Sequence, residues 1–172
     1  MNCMPSANKA LAKGNSSERS TGNGRSMSMA MSKEERETFL ADLHVGVISI
    51  EQESRPPLTV PIWYDYSPDI GLWVITDAGS AKGQALQKAG RYSLVAQTEE
   101  PPAYQYVSVE GPIVEERSAD LERDLRPMAR RYLGEELGDT YVAGNTGGDG
   151  HVFLMRPDRW RTVDYRKMGA LG

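Results

Sequence analysis

The segment PLTVPIWYDY, residues 57–66, alternates its side chains with a period of two, which is typical of a β-strand with one buried face. Leu58, Val60, Ile62 and Tyr64 would point one way, and Thr59, Pro61, Trp63 and Asp65 would point the other way. Pro61 has no N–H group with which to donate a hydrogen bond to a neighbouring strand. We therefore expect this strand to lie at a sheet edge, to bulge, or to face something other than a strand at Pro61.

Further short strands follow along the chain, and turns rather than long crossovers join most of them. We predict strands at residues 44–51, 72–76, 91–98, 104–116, 151–156 and 159–165. Gly111 and Pro112 predict a bend or bulge in the longest of them. No parallel strand–helix–strand repeat dominates, so the predicted fold is mostly β with flanking helices, in the form of a small antiparallel barrel.

Three helices are predicted beside these strands. They are residues 32–43, a short segment that follows Ser80, and residues 118–133, and a mobile glycine-rich loop is expected at residues 143–150. The first helix begins with a capping box formed by Ser32 and Glu35. In the third helix Ser118 would be the cap, Pro127 would kink or restart the helix, and Gly134 would end it.

The first 30 residues differ in composition from the rest of the chain. They are rich in Ser, Asn, Gly and Lys, so they cannot bury enough apolar surface to offset the entropy of ordering. We predict a disordered tail over residues 1–30 and one domain over residues 31–172. No signal peptide is evident, and no stretch approaches the roughly 18–20 apolar residues of a membrane span. We therefore expect a cytoplasmic protein with no membrane span.

Charge and cysteine content exclude several classes of function. The chain has 20 Lys plus Arg against 24 Asp plus Glu and no basic run, so we expect no nucleic-acid partner. The single cysteine, Cys3, excludes a disulfide within the chain. His44 and His151 have no cysteine or carboxylate at ligand spacing, so we interpret both as structural or solvated and predict no metal site.

The segment TDAGSAKGQAL, residues 76–86, combines features that could hold a phosphate group. Ser80 can cap the helix, whose first free amides form a local positive end. Lys82 adds a charge in the same turn, where it opposes the helix dipole unless an anion is bound, and Gly83 allows another group to approach the backbone closely. A capped surface helix with a solvated lysine explains the same residues, so both interpretations stay open.

The order of these pieces resembles the flavin-binding split β-barrel superfamily, which includes pyridoxamine 5′-phosphate oxidase and the deazaflavin (F420)-dependent reductases. The resemblance covers roughly residues 32–165. It is carried by the strand ending in Thr76 and Asp77, the helix start Ser80-x-Lys82-Gly83, and the strand ending in Val109-Glu110-Gly111. It implies a six-stranded antiparallel split barrel that forms a homodimer, with two cofactor sites at the dimer interface.

The resemblance also implies which residues would bind the cofactor. The strand from Thr59 to Trp63 would back the isoalloxazine or deazaflavin ring, and Thr76, Ser80 and Lys82 would hold the phosphate. The predicted cofactor-binding residues are Thr59, Val60, Pro61, Ile62, Trp63, Thr76, Asp77, Ser80, Lys82 and Gly83. Core packing would equally explain Trp63 and Trp73. No catalytic residue stands out.

These features favour an oxidoreductase that uses F420 rather than FMN and transfers hydride to a conjugated small-molecule acceptor. The segment TVPIWY lacks the basic ends of the Arg-x-Val-Leu-Leu-Lys strand type of the vitamin oxidase, and 14 Arg against 6 Lys suggests a GC-rich genome such as that of an actinobacterium. A reduced cofactor supplies the hydride itself, so an enzyme here needs no acid–base pair. The alternatives are an FMN-dependent enzyme similar to pyridoxamine-phosphate oxidase, and a non-catalytic carrier of flavin, F420 or haem.

The helix predicted at residues 118–133 carries four arginines among acidic residues: Arg123, Arg126, Arg130 and Arg131. We favour a solvated face with ion pairs inside the helix. The alternative is that these arginines contact the anionic tail of F420.

Overall fold

The computed structural model describes residues 28–99, 101, 104–145 and 149–171. Its strands are β1 (Gly46–Gln52), β2 (Arg55–Ile62), β3 (Tyr64–Ser67), β4 (Gly71–Asp77), β5 (Arg91–Thr98), β6 (Gln105–Ser118), β7 (Gly150–Met155) and β8 (Arg159–Asp164). Its α-helices are α1 (Lys33–Ala41), α2 (Ala81–Ala89), α3 (Arg126–Leu133) and α4 (Glu135–Gly144), with a π-helical turn over Leu121–Leu125 and a 3-10 helix over Tyr165–Leu171.

All the strand pairs are antiparallel, in the order β2-β1-β5-β6-β7-β4-β3, and β8 also pairs with β6. The long strand β6 belongs to both halves of the barrel, because residues 105–112 pair with β5 and residues 113–118 pair with β7. A register shift between Ile113 and Glu115 lies just after the expected bend at Gly111 and Pro112. The prediction of a mostly β split barrel with flanking helices is confirmed, and the barrel is not strictly closed.

The segment at residues 57–66 explains why the described residues form eight strands where the sequence patterns predict seven. It forms two strands, β2 and β3, which are the two ends of the strand order and are joined by Trp63. Ile62 and Tyr64 are buried in the core and Pro61 is exposed, as the alternation predicts. Because β2 pairs with β1 alone in the described part of the chain, the edge position expected for Pro61 is confirmed.

Helix α1 begins as predicted, with both hydrogen bonds of the Ser32–Glu35 capping box. The predicted third helix is wrong at its start. Ser118 ends β6, and Asp120 is the cap, since its Oδ1 accepts hydrogen bonds from the N–H groups of Glu122 at 2.9 Å and Arg123 at 2.7 Å. A π-helical turn follows, and α3 then starts with Pro127 in its first turn, which agrees with the expected restart.

Helix α4 was not predicted, and it packs against α3. Its side chain Asp139 accepts hydrogen bonds from Arg126 and Arg130, each at 2.7 Å. Gly138 lies so close to α3 that an added Cβ would be 2.7 Å from the backbone nitrogen of Arg130. Packing and charge pairing with α3 therefore hold this helix in place.

The chain is anchored to β8 from Met29 onwards. The N–H of Asp164 donates to the carbonyl of Met29 at 2.8 Å, and the N–H of Met31 donates to Thr162 Oγ1 at 2.9 Å. Met31 is buried in the core. Residues 1–27 of the predicted tail lie outside the described residues. Within the described part of the chain, no helix has the length and apolar character that a membrane crossing requires.

Candidate functional site

The start of α2 is fixed to the end of β4 by hydrogen bonds. Ser80 caps the helix as predicted: its hydroxyl donates to the carbonyl of Asp77 at 2.6 Å and accepts from the N–H of Gly83 at 3.0 Å. The Asp77 carboxylate in turn accepts from the N–H of Gly79 at 2.7 Å. These bonds hold the turn between the strand and the helix in a single conformation.

Gly83 is buried at the point where α2 meets this turn. A Cβ at this position would lie 2.2 Å from the carbonyl oxygen of Asp77 and 2.7 Å from that of Ala78. The group that approaches Gly83 closely is therefore the chain's own backbone. Its place among the cofactor-binding residues stays a prediction, but its packing role is explained without a ligand.

Lys82 differs from the other cations near it. Its side chain is half-buried, and burial lowers the pKa of its ammonium group below the usual lysine value. Within the described residues its Nζ makes no hydrogen bond or ion pair, and the N–H groups of Ala81 and Lys82 likewise have no partner. A desolvated positive charge and two free amides in the first turn of a helix form a set of donors suited to an anion.

The outer face of β2 presents a second part of the predicted site. Thr59 and Pro61 are exposed on it, and the hydroxyl of Thr59 lies 3.2 Å from that of Ser49 on β1. Val60 and Ile62 face the barrel interior, where both pack against the core. A ring lying on this face could therefore contact the side chains of Thr59 and Pro61, but only the backbone of Val60 and Ile62.

Trp63 packs against the helices. Its ring stacks on Tyr132 of α3, with 5.0 Å between ring centroids and 4° between planes, and is tilted against Tyr141 of α4 at 5.6 Å. The Tyr132 hydroxyl lies 2.7 Å from the carbonyl of His44 and 2.9 Å from that of Tyr64. These contacts support the structural interpretation of Trp63, although one side of its ring borders a cleft.

That cleft has a volume of about 270 Å³ and lies between the sheet and the segment from Ala119 to Asn145. Trp63, Thr76 and Asp77 line it, whereas the other predicted cofactor residues do not. The predicted residues are thus divided between this cleft, the outer face of β2 and the start of α2. The larger cleft of about 580 Å³, between α1, the β3–β4 turn and Trp160, contains none of them.

Sequence reasoning missed the residues that α4 brings to the 270 Å³ cleft, namely Tyr141 and Asn145. Leu137 and Tyr141 have the spacing of four residues that neighbours on a helix face show, and this is the signal that could have indicated α4. Both side chains are exposed, at 63% and 44%, so the pattern does not resemble that of a helix with a buried apolar face.

The arginines of α3 all have partners. Arg126 pairs with Glu122 and Asp139, and Arg130 pairs with Asp139. Arg131 donates hydrogen bonds to the carbonyls of Ala41 and Asp42. Arg123, in the preceding π-helical turn, pairs with Asp124. Ion pairing, some of it with α4, therefore explains these residues as structural.

The two histidines occupy different surroundings. His44 stacks on Phe39 with 4.3 Å between ring centroids, and burial lowers the pKa of its imidazole. His151 lies 3.4 Å from carboxylate oxygens of Glu116 and Asp149, neighbours that sequence spacing did not reveal. In the part of the chain that the structure describes, no group of three or more His, Cys, Asp or Glu side chains is arranged to hold a metal ion.

Comparisons with known proteins place these features in context. A family model described as pyridoxamine 5′-phosphate oxidase matches residues 32–164. No curated protein matches the chain. Among solved structures, the chain is similar to the conserved hypothetical protein Rv2991 of Mycobacterium tuberculosis, with 22% identity and a TM-score of 0.66 over 82% of this chain and 89% of that one.

Two further structures show the same architecture. An F420 reductase has 14% identity and a TM-score of 0.59 over 73% of this chain and 94% of that one. The haem storage protein HutZ of Vibrio cholerae has 13% identity and a TM-score of 0.54 over 77% of this chain and 94% of that one. At these identities the likeness establishes the fold alone.

Proposed function

The chain belongs to the pyridoxamine 5′-phosphate oxidase family, and from that premise we propose that it is an oxidoreductase that binds a flavin-type cofactor, F420 in preference to FMN, and transfers hydride to a conjugated small molecule. The family and its F420 reductase neighbour support a flavin-related function. The choice of F420, the acceptor, the homodimer and the cytoplasmic location are parts of the proposal.

Lys82 is the single observation that carries the proposal. Keeping a half-buried ammonium without a partner costs desolvation free energy, and the lowered pKa of Lys82 reflects that cost. A phosphate at the start of α2 would supply the missing partner for Lys82 and for the free N–H groups of Ala81 and Lys82. The donors present therefore fit a phosphorylated cofactor.

The outer face of β2 supports the position proposed for the ring. Thr59 and Pro61 form an exposed strip beside Val47 of β1, which is 37% exposed, and Val45, which is 53% exposed. Pro61 pairs with Val47 in the sheet, so these side chains form one surface. An exposed, mainly apolar strip suits one face of a planar ring, and in the proposal the phosphate of the same cofactor extends to the donors at the start of α2.

In the proposed reaction the bound cofactor supplies the hydride. The residues of this chain bind and orient: Lys82 and the first amides of α2 hold the phosphate, while Thr59 and Pro61 place the ring against the sheet. No side chain needs to donate or abstract a proton for the hydride transfer itself. This division of roles accounts for the lack of an evident acid–base pair.

The preference for F420 rests on the segment TVPIWY, which runs from β2 into β3. Thr59 and Tyr64 occupy its two ends, where the vitamin oxidase type of strand has Arg and Lys, so the segment lacks those two cations. The F420 reductase among the similar structures has the same fold. FMN is the alternative cofactor, and a non-catalytic carrier is the alternative function.

Fluorescence titration with F420 and with FMN tests the proposal on three proteins: wild type, Lys82→Met and Lys88→Met. Lys88 is the matched control, because it lies in the last turn of the same helix and is exposed and paired with Glu53 at 2.5 Å. We expect Lys82→Met to weaken cofactor binding by roughly ten- to a hundred-fold, the loss of a charge-assisted contact worth about 1.5–3 kcal/mol. Lys88→Met should bind like the wild type.

The outcomes separate the alternatives. Equal affinities for the wild type and Lys82→Met would overturn the phosphate site. Tighter binding of FMN than of F420 would show that FMN, and not F420, is the preferred cofactor. A protein that binds a cofactor tightly but never oxidises its reduced form, with any conjugated acceptor supplied, would be a carrier rather than an enzyme.

The homodimer is tested separately, through the apolar surface around Val47. Light scattering at micromolar concentration should report twice the chain mass for the wild type and the single chain mass for Val47→Glu, because a buried unpaired carboxylate opposes association. Replacing Val114, which is 50% exposed on β6, by Glu serves as the control. A dimer that survives Val47→Glu would place the interface elsewhere.

A further inference from the structure

The cleft between the sheet and the α3–α4 region has features of a ligand site that are not needed to hold the barrel together. We propose that it binds a planar, conjugated, mostly apolar molecule with a carbonyl oxygen at one end, and that this molecule is the hydride acceptor. The role as acceptor rests on the proposed function, whereas binding in the cleft can be tested without any cofactor.

One wall of the cleft is aromatic. Trp63 and Tyr141 both line it, and their rings meet at 56° with 5.6 Å between centroids. Tyr141 is 44% exposed, so part of its ring surface remains free to contact a ligand. Trp63 is fixed from its other side by the parallel stack on Tyr132. A rigid indole beside a partly free phenol ring is a surface suited to a flat conjugated molecule.

The rest of the cleft is mainly apolar. Ile75 of β4, Leu121 and Leu125 of the π-helical turn, and Met128 of α3 line it. Leu125 is buried in a small cluster with Ala129 and Val142, whereas Leu121 remains 40% exposed. Leu121 is thus an apolar lining side chain that the described residues leave partly uncovered.

The position of Leu121 is set by charge pairing behind it. Asp124 is buried and accepts hydrogen bonds from Arg117, at 2.5 and 2.9 Å, and from the N–H of Asp120 at 2.8 Å. These bonds hold the π-helical turn against β6. Such turns are rare and frequently occur at functional sites. Here Leu121 and Leu125 of the turn line the cleft.

Within the part of the chain that the structure describes, two side chains that line the cleft have free hydrogen-bonding groups. Asn145 and Thr76 line the cleft, and among the described residues neither side chain makes a hydrogen bond. The half-buried side-chain amide of Asn145 can donate a hydrogen bond to a carbonyl oxygen of the ligand, so that both the amide and the carbonyl have a partner. Thr76 and Asp77, also predicted as cofactor residues, line the cleft at the end of β4, from which the chain continues into the start of α2.

The volume limits the ligand. Clefts that take drug-sized molecules have about 300–1,000 Å³, so a cleft of about 270 Å³ suits a molecule of one or two fused rings. An apolar body with one acceptor atom also matches the mainly apolar lining better than a charged ligand does, because a charge would lose its hydration there.

Calorimetric titration of the cofactor-free protein tests the cleft with 1-indanone, a fused two-ring ketone, and with indene, a similar hydrocarbon that lacks the carbonyl. We expect Leu121→Trp to abolish measurable binding of both probes, because the larger side chain takes up part of the cleft volume. Leu137→Trp is the matched control: Leu137 is 63% exposed on α4 and does not line the cleft. Asn145→Leu should weaken indanone binding by roughly two- to twelve-fold and leave indene unchanged.

The proposal would be overturned if indanone bound with unchanged affinity to both Leu121→Trp and a second cleft variant, Tyr141→Ala. It would also be overturned if the wild type bound neither probe, with or without cofactor. Equal weakening of indanone and indene by Asn145→Leu would overturn the carbonyl contact. Cofactor affinity is measured on the same variants. A Leu121→Trp protein that binds F420 like the wild type but has lost turnover with indanone-sized acceptors would support the acceptor role. If turnover is retained, the acceptor role is overturned. The phosphate site at Lys82 is tested independently by the Lys82→Met titration.

Discussion

Helix α2 and the α3–α4 pair both pack against the sheet, but they differ in whether their cationic side chains have partners. The arginines of α3 have carboxylate or carbonyl partners, chiefly Asp139. Lys82 in α2 is half-buried and has no partner within the described residues. A paired cation is explained by the fold, whereas the desolvated Lys82, with no partner among the described residues, is the basis on which we propose a phosphate site.

The two regions are alike in how their backbones pack. Gly83 in α2 and Gly138 in α4 each let a helix approach another backbone more closely than any side chain would allow. The difference between the regions therefore concerns charge and not packing. Changes to packing should damage both regions, and changes to charge should separate them.

The largest effect is expected from Gly83→Ala and Gly138→Ala. The added methyl groups would meet backbone atoms at 2.2 Å and 2.7 Å, so the helices must shift, and we expect each change to lower the free energy of unfolding by about 3 kcal/mol. Urea unfolding measures it. Gly144→Ala is the control: nothing lies within 4 Å of that Cβ, so the change should be neutral or stabilising. A neutral Gly83→Ala would show that α2 does not pack as described.

Next is Asp124→Asn, which removes the carboxylate that holds the π-helical turn. We expect a loss of about 2 kcal/mol, because Arg117 is one-third exposed and can regain water. Arg117 holds the pKa of Asp124 well below its usual range, so this stabilisation exists above the ordinary aspartate pKa of about 3.9 and is lost as the pH falls below it. Thermal melts of both proteins from pH 7 downward should therefore converge in acid.

A smaller effect is expected from Lys82 in the protein without cofactor. Burial lowers the pKa of Lys82 in the folded state, so between that pKa and the ordinary lysine value of about 10.4 the unfolded chain binds more protons. Across this pH window the free energy of unfolding of the wild type should rise relative to that of Lys82→Met, which lacks this contribution. With cofactor bound the rise should vanish, since a phosphate favours the charged form. A rise of equal size in Lys82→Met would contradict the desolvation of Lys82.

The smallest effect is expected from Arg130→Gln. Its guanidinium already pairs with Asp139 at 2.7 Å, so it has little to offer the anionic tail of F420. The affinity for F420 should match that of the wild type, and the melting temperature should fall less than in Asp124→Asn. A selective loss of F420 binding, with FMN binding retained, would revive the tail contact and weaken the distinction between the two regions.

Local sequence patterns determined most of the fold. The alternation around Pro61, the capping box at Ser32 and the cap at Ser80 depend on neighbours along the chain, and each occurs as predicted. The break between β2 and β3 at Trp63 could not be predicted, because the alternation of side chains continues through it. Only the pairing partner changes there, from β1 for β2 to β4 for β3. Asp120 replaced Ser118 as a cap because β6 extends through Ser118 to pair with β7.

The site was less accessible to sequence reasoning. The position of Lys82 in the first turn of a helix follows from the sequence, but its desolvation depends on what packs around α2. The helix sequence EELGDTYVAG carries two glycines and exposed apolar residues, so α4 exists through contacts with α3 rather than through its own propensity. Tyr141 and Asn145 could not be assigned to a cleft until that helix was placed.

The contact at Gly83 has a consequence for motion. Because the helix backbone packs directly on the carbonyl groups of Asp77, the last residue of β4, and of Ala78, we expect the first turn of α2 to move only together with the end of β4. The start of the helix and the end of the strand then open as one unit, with the stability of the sheet rather than of a loop. An anion arriving at α2 would find its donors already ordered, since the entropy cost of fixing them is met when the chain folds and not when the ligand binds.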